Sequence, residues 1–168
     1  MNSILDQTPS LQSDLAPRDG NSYVKGPEVP PLAYTSISKL LRDAAKRYGS
    51  REALIFPNNR LNYDDFDQTV DALAAGFLAL GLDKGDRLGI WSPNRLEWVL
   101  TQFATARIGV LLVNINPAYR LSELEYSLNT VGCKAIVLAQ SLKSSNYLQM
   151  IRTLAPEIDD CRQGKLHS

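Results

Sequence analysis

The residues best suited to bind a ligand lie between Asn114 and Arg120, where the sequence reads NINPAYR. Two asparagine amides, a tyrosine hydroxyl and an arginine follow directly after the apolar run Val110–Val113. This run is too short for a helix and is apolar on both faces, which predicts a strand buried between two layers of helices. The loop after the carboxyl end of such a strand is a common place for a ligand. The same pattern is also typical of an ordinary structural turn.

A capping signal predicts the helix that follows this loop. Ser122 and Glu125 are three residues apart, which is the spacing of a capping box. Leu121 before the cap and Tyr126 after it have the positions of a hydrophobic staple. We therefore expect the loop to lead into a helix over residues 123–131.

The sequence offers little for other kinds of chemistry. Its single histidine, His167, is the penultimate residue, and Cys133 and Cys161 are far apart. Nucleophile systems with a histidine base and transition-metal sites need more such residues. We predict two reduced cysteines, with Cys133 as a small residue at a junction between a helix and a strand. We assign no catalytic residue and no metal ligand.

Charge and hydropathy exclude several classes of partner. Lysine plus arginine and aspartate plus glutamate are equal in number, at 18 each. This balance predicts no binding of nucleic acid. The longest apolar run is far shorter than a transmembrane segment, and the first residues resemble neither a signal peptide nor a transit peptide. The predicted location is cytoplasmic.

The elements that must position the loop alternate between strand and helix. Predicted strands at Arg87–Trp91, Val110–Val113 and Ala135–Ala139 are separated by about twenty residues that carry helical patterns. This rhythm predicts an α/β fold with helices packed on a mostly parallel sheet. A last helix is expected to open within Ser141–Ser145 and to stop at Pro156.

Composition divides the chain into three parts. Residues 1–33 are rich in polar residues and proline without a period, which predicts an extended or disordered leader. Residues 34–158 carry the periodic segments and form the predicted domain, and residues 159–168 form a tail. The first helix is expected to begin at Thr35 or Ser36 as its cap, and Asn62 is expected to cap the second.

Three segments resemble AMP-forming acyl-CoA synthetases, which belong to the adenylate-forming ligases. LNYDDF, from Leu61 to Phe66, resembles the LTYxEL segment of that family. GDRLGIWSPNRLEWVLTQFATARIG, from Gly85 to Gly109, is similar to the segment that follows it. GVLLVNINPAYRLSELEYSLNTVGCKAIV, from Gly109 to Val137, looks most like the medium-chain fatty-acyl-CoA branch.

The resemblance implies part of a large N-terminal domain. Enzymes of this family use ATP and Mg²⁺ to convert a fatty acid into an acyl-adenylate, which CoA then attacks to form a thioester. The family's TSGTTGxPKG-like phosphate loop and its catalytic lysine are missing from this sequence. We therefore expect a fragment that is inactive alone and that binds ATP, CoA and Mg²⁺ at most weakly.

The resemblance also implies which residues touch a ligand. In related synthetases the loop after the corresponding strand lies close to the CoA nucleotide, and a lysine after the next strand can supply a cation. The matching positions in this chain are Asn116, Pro117, Ala118, Tyr119 and Lys143. For Arg120 we expect a surface ion pair with Glu123 rather than a phosphate contact.

Two other functions remain open from the sequence. One is a non-catalytic α/β binding or interaction module, and the other is a fragment of a different adenylating enzyme such as an aryl-CoA ligase. A separate expectation follows from the truncation, because a parallel sheet that is cut within its domain leaves a strand edge and apolar helix faces uncovered. We expect the isolated chain to be marginally stable and to aggregate or form a homo-oligomer through that edge.

Overall fold

The computed structural model describes Gly20 and residues 33–161. Most of the predicted leader, most of the predicted tail and His167 lie outside these residues, so the predicted domain boundaries stay predictions. Within the described part of the chain, none of the helices combines the length and apolar character that a membrane span requires.

Helices and strands alternate along the described chain. The helices are α1 (Ile37–Tyr48), α2 (Tyr63–Ala79), α3 (Leu96–Ile108), α4 (Leu121–Val131) and α5 (Tyr147–Leu154), followed by a 3-10 helix at Pro156–Asp159. The strands are β1 (Glu52–Phe56), β2 (Asn59–Asn62), β3 (Arg87–Trp91), β4 (Leu111–Asn114), β5 (Ala135–Leu138), β6 (Ser141–Leu142) and β7 (Ser145–Asn146).

The central sheet is parallel, which confirms the predicted α/β fold. Its strand order is β4-β3-β5, and β3 pairs in parallel with both neighbours. The pairs β1–β2 and β6–β7 are separate antiparallel hairpins. The predicted caps of the first two helices are also confirmed, since Ser36 accepts a hydrogen bond from Lys39 N and Asn62 accepts one from Asp65 N.

The two faces of this sheet carry two separate cores, because successive side chains of a strand point to opposite sides. We call them the large core and the small core. The large core packs α1, α2 and α3 and contains Leu41, Phe66, Val70, Ala74, Phe77, Leu82, Leu88, Leu100, Ala104 and Val110. The small core packs α4 and α5 and contains Trp91, Ile115, Leu124, Ala139, Tyr147 and Ile151.

The helices leave the sheet in opposite directions. The connection after β3 leads to α3 on the large-core face, whereas the connections after β4 and β5 lead to α4 and α5 on the small-core face. Where loops from adjacent parallel strands diverge in this way, a crevice forms outside the carboxyl ends of the strands. The predicted ligand loop lies at one such point, between the ends of β3 and β4.

The prediction that the apolar strand before the loop is buried on both faces was wrong. That strand, β4, lies at an edge of the three-stranded sheet, and Leu111 is 56% exposed. The strand buried along most of its length is β3 in the centre. An apolar run predicts that a segment is buried, but it does not predict the position of the strand in the sheet. That position depends on contacts between residues distant in sequence.

The predicted cap of α4 was also wrong. The helix begins at Leu121, and the N–H of Arg120 donates to Glu123 Oε2 at 2.8 Å. This is half of a capping box, because a guanidinium has no acceptor for the return bond. Tyr126 is 72% exposed, so it forms no staple with Leu121.

The segment expected to open the last helix forms the β6–β7 hairpin instead. Lys143 lies in its turn with a φ of 51°, in the left-handed region. Helix α5 starts at Tyr147, and Asn146 caps it by accepting a hydrogen bond from Gln149 N. Asparagine is among the residues that cap helices best, so this start has a suitable cap.

Candidate functional site

The loop from Asn116 to Tyr119 is folded as a tight turn at the carboxyl end of the sheet. Just before it, the N–H of buried Ile115 donates to the carbonyl of Ile90 in β3, at 3.0 Å. The side-chain oxygen of Asn116 accepts from Ala118 N at 2.9 Å, and its carbonyl accepts from Tyr119 N at 3.0 Å. Asparagine favours such turns because its side chain can replace a backbone acceptor.

Two buried aromatic residues support this loop from below. Trp91 ends β3, Tyr147 begins α5, and their rings stack with centroids 3.7 Å apart and planes 15° apart. Trp91 Nε1 donates to the carbonyl of Asn116 at 3.1 Å, and the Tyr147 hydroxyl donates to the carbonyl of Pro117 at 2.6 Å. The loop is therefore fixed to the small core.

The β6–β7 hairpin is tied to the same region. Arg120 Nη1 donates to Ser145 Oγ at 2.9 Å, and Ser145 pairs with Leu142 in the hairpin whose turn holds Lys143. This arrangement places the hairpin beside the loop. The predicted ion pair of Arg120 with Glu123 was wrong, because the bond to Glu123 comes from the Arg120 backbone while the guanidinium reaches Ser145.

The groups left facing outward suit a polar, anionic ligand. Asn116 and Ala118 are exposed, and Lys143 and Arg120 bring two exposed cations to the neighbourhood of the loop. Amides and cations of this kind bind phosphates well. The donor set is therefore of the kind that binds phosphate groups, and the CoA contact implied by the family resemblance stays a prediction.

A second crevice lies between the carboxyl ends of β3 and β5, and sequence reasoning missed it. It has a volume of about 170 Å³. Its walls include Ile90, Ser92, Arg95, Trp98 and Gln140. The sequence gives no direct sign that β5 lies next to β3, so the crevice could be found only from the strand order.

Two of the titratable groups whose pKa moves clearly, Asp86 and Cys133, lie away from the loop. Lys134 donates to Asp86 at 2.7 Å and, together with a hydrogen bond from Asp83 N, lowers the pKa of Asp86. Burial raises the pKa of the Cys133 thiol, which lies between α4 and β5 as predicted. Both groups belong to the amino-terminal end of the sheet.

The described residues show neither a cluster of metal ligands nor a Walker-type phosphate loop. Among them, no three histidine, cysteine, aspartate or glutamate side chains cluster in a way that could hold a metal ion. The sequence also contains no glycine-rich phosphate loop of the Walker type. We therefore assign no step through ATP or Mg²⁺ to these residues.

Comparison with known proteins identifies the family. Residues 41–165, most of the chain, match the family described as AMP-binding enzyme. This chain belongs to that family. The resemblance recognised in the sequence is thereby confirmed for the adenylate-forming enzymes.

Two curated relatives indicate the branch. The chain is 41% identical over 175 aligned residues to the Mus musculus protein "Medium-chain acyl-CoA ligase ACSF2, mitochondrial", covering 99% of this chain and 28% of the relative. It is 42% identical over 166 residues to the Danio rerio protein of the same name, covering 98% of this chain and 27% of the relative. The chain thus spans a little over a quarter of the length of these relatives.

A solved structure supports the fold. A crystal structure of the N-terminal domain of FACL13 from Mycobacterium tuberculosis matches 79% of this chain and 32% of that chain, with a TM-score of 0.67 and 22% identity. The α/β architecture of this AMP-binding chain is therefore shared with an N-terminal domain of known structure.

Proposed function

We propose that this chain acts as the N-terminal part of an ATP-dependent ligase that joins a medium-chain fatty acid to CoA through an acyl-adenylate. The observation that carries the proposal is the 41% identity, along 99% of the chain, to a protein named as a medium-chain acyl-CoA ligase. The chain alone has no ligase activity in this proposal, because the family's phosphate loop and catalytic lysine are not in its sequence.

Within that enzyme, the β4–α4 loop forms one wall of the site for the CoA nucleotide. The support is the position of the loop at a diverging pair of strands and the exposed polar groups around it. Asn116 and Ala118 face outward, and Lys143 supplies a cation for a phosphate. Pro117 and Tyr119 shape the turn, since their backbone groups bond to Tyr147 and Asn116.

A hybrid enzyme tests this proposal. This chain replaces the segment that it matches in the mouse relative, and the purified hybrid is assayed for thioester formation from ATP, CoA and either octanoate or benzoate. We expect octanoyl-CoA from the hybrid and from the mouse relative, and none from the 168-residue chain alone. Faster formation of benzoyl-CoA would favour the aryl-CoA alternative. A folded hybrid that forms neither thioester would favour the non-catalytic module.

The compartment belongs to the same proposal. The cytoplasmic location predicted from the sequence stays a prediction, and the mouse and zebrafish relatives carry the word mitochondrial in their names. Expression of the chain with a C-terminal fluorescent tag in its source cells, followed by fractionation, decides between the two compartments.

A further inference from the structure

The stacked pair Trp91–Tyr147 does more than fill the small core. Both side chains have 0% exposure, and each carries one polar group that needs a partner when it is buried. Both polar groups point to the same short loop, where they meet the carbonyls of two consecutive residues, Asn116 and Pro117. Packing of the core requires only the two rings, whereas the two hydrogen bonds connect the pair to adjacent carbonyls of one loop.

These two bonds determine what the loop can offer to a ligand. The carbonyls of Asn116 and Pro117 accept from groups inside the protein, so they are held away from an incoming phosphate. An exposed carbonyl would repel a phosphate, whereas the Asn116 amide and nearby cations attract it. Holding the turn in one conformation also removes the ordering cost that a mobile loop carries when it binds.

The donors stay donors over the physiological pH range. The indole N–H of Trp91 can only donate. Burial raises the pKa of Tyr147 above its ordinary value, so its hydroxyl keeps its proton. Neither of these two donors therefore loses its proton near neutral pH.

We infer that Tyr147 and Trp91 are positioning residues, which hold the Asn116–Tyr119 loop with its carbonyls turned inward and its amide turned towards the nucleotide of CoA. This inference rests on the proposed function of the loop. It assigns a role to two residues that do not themselves reach the ligand.

The test uses Tyr147→Phe, which removes the hydroxyl and keeps the stacked ring. The matched control is Tyr63→Phe, which removes the same group at the first residue of α2. Backbone hydrogen exchange is measured in the 168-residue chain for the peptide over residues 115–120 and for a reference peptide from α2. We expect exchange of the loop peptide to rise about fivefold, the factor that loss of one average hydrogen bond gives, with the α2 peptide unchanged. Trp91→Phe is a second variant and should act in the same direction.

The second measurement uses the hybrid enzyme. With Tyr147→Phe we expect the KM for CoA to rise about fivefold, while kcat and the KM for octanoate stay as in the Tyr63→Phe control. Unchanged loop exchange, or exchange that rises equally in α2, overturns the inference. Faster loop exchange with an unchanged KM for CoA in an active hybrid also overturns it. An inactive unmutated hybrid counts against the proposed function instead, and the exchange experiment then decides by itself whether the two aromatic residues hold the loop.

Discussion

The two faces of the central sheet are packed for different purposes. On the large-core face, three helices bury ten side chains that are all aliphatic or phenylalanine. The hydrogen bonds of the buried Thr101 and Thr105 hydroxyls stay within α3. On the small-core face, two shorter helices bury six side chains, and the two largest, Trp91 and Tyr147, bond to a loop. From this difference we infer that the large core supplies most of the stability. In the small core, Trp91 and Tyr147 also position the loop of the candidate site.

The largest effect that would test this comparison is expected from Phe66 in the large core. Phe66 is 4% exposed and meets Phe103 edge to face, with ring centroids 5.1 Å apart. Phe66→Ala should lower the free energy of unfolding by about 3–5 kcal/mol, because it removes a buried ring and leaves a cavity. Urea denaturation followed by circular dichroism measures this. If the alanine variant is already unfolded, Phe66→Leu should still lower the free energy of unfolding by about 1–2 kcal/mol. A loss below about 0.5 kcal/mol in both variants would contradict the claim that the large core supplies most of the stability.

The next effect concerns the ion pairs that join α2 to α3. Arg107 has a side chain only 7% exposed and donates to Asp67 and Asp71. Arg107→Met should cost about 2 kcal/mol, since it leaves two carboxylates without their buried partner while part of the charge is still screened by solvent.

Arg42 provides the matched control for Arg107. It also pairs with Asp71, but its side chain is 51% exposed. Arg42→Met should change the free energy of unfolding by less than about 0.5 kcal/mol. Equal effects of the two substitutions would show that burial does not set the strength of these pairs.

A smaller effect is expected on the small-core face, from Arg120. Arg120→Met removes the bond to Ser145 that ties the β6–β7 hairpin to the loop. Because this bond lies at the surface, the free energy of unfolding should change by less than about 1 kcal/mol. Hydrogen exchange of residues 141–146 should nevertheless become faster, and Ser145→Ala should reproduce that change. Slower or unchanged exchange in both variants would argue that the hairpin is held by other contacts.

The smallest expected effect is the pH dependence from Asp86. Its pKa in the folded chain is below the ordinary value of 3.8, first because Lys134 donates to it. The carboxylate therefore stabilises the folded state fully above the unfolded pKa, and this contribution disappears as the pH falls through the lower folded pKa. In Asp86→Asn, the free energy of unfolding should fall less steeply with decreasing pH below about pH 4. Urea denaturation at several pH values measures this. If the variant lost stability at low pH to the same extent as the unmutated chain, the Asp86 carboxylate would not contribute to this pH dependence.

The parts of the fold that depend on residues close together in the sequence could be predicted from the sequence. Strand β3 was placed at its observed residues, and the caps Ser36 and Asn62 were found because capping needs only a suitable side chain next to a helical pattern. The parallel sheet followed from the alternation of strands and helices. The local signals in these segments agree with the global fold.

The rest depends on which segments meet in space. The edge position of β4, the crevice between β3 and β5 and the bonds from Trp91 and Tyr147 to the loop each join residues that are distant in sequence. Periodicity gives no sign of the bond from Trp91 to Asn116. The start of α4 was missed because two overlapping signals, at Arg120 and at Ser122, compete within three residues.

The predicted aggregation through an exposed sheet edge stays a prediction. Strands β4 and β5 are the outer strands of the central sheet, and Leu111 in β4 is largely exposed. Sedimentation of the chain over a range of concentrations measures self-association, and Leu111→Lys should reduce it if β4 is the contact. A monomer that melts cooperatively above about 60 °C would contradict the expected marginal stability.

The central claim is that the β4–α4 loop binds the CoA nucleotide, and Asn116→Asp in the hybrid enzyme tests it most directly. The aspartate keeps the oxygen that accepts from Ala118 N, so the turn is preserved, but it replaces the outward amide with a negative charge. Asn129→Asp, on the exposed surface of α4, makes the same charge change away from the loop. We predict that Asn116→Asp raises the KM for CoA about tenfold through repulsion of the phosphates, while the KM for octanoate is unchanged and Asn129→Asp has no effect. An unchanged KM for CoA, or an equal rise in both variants, would contradict the claim.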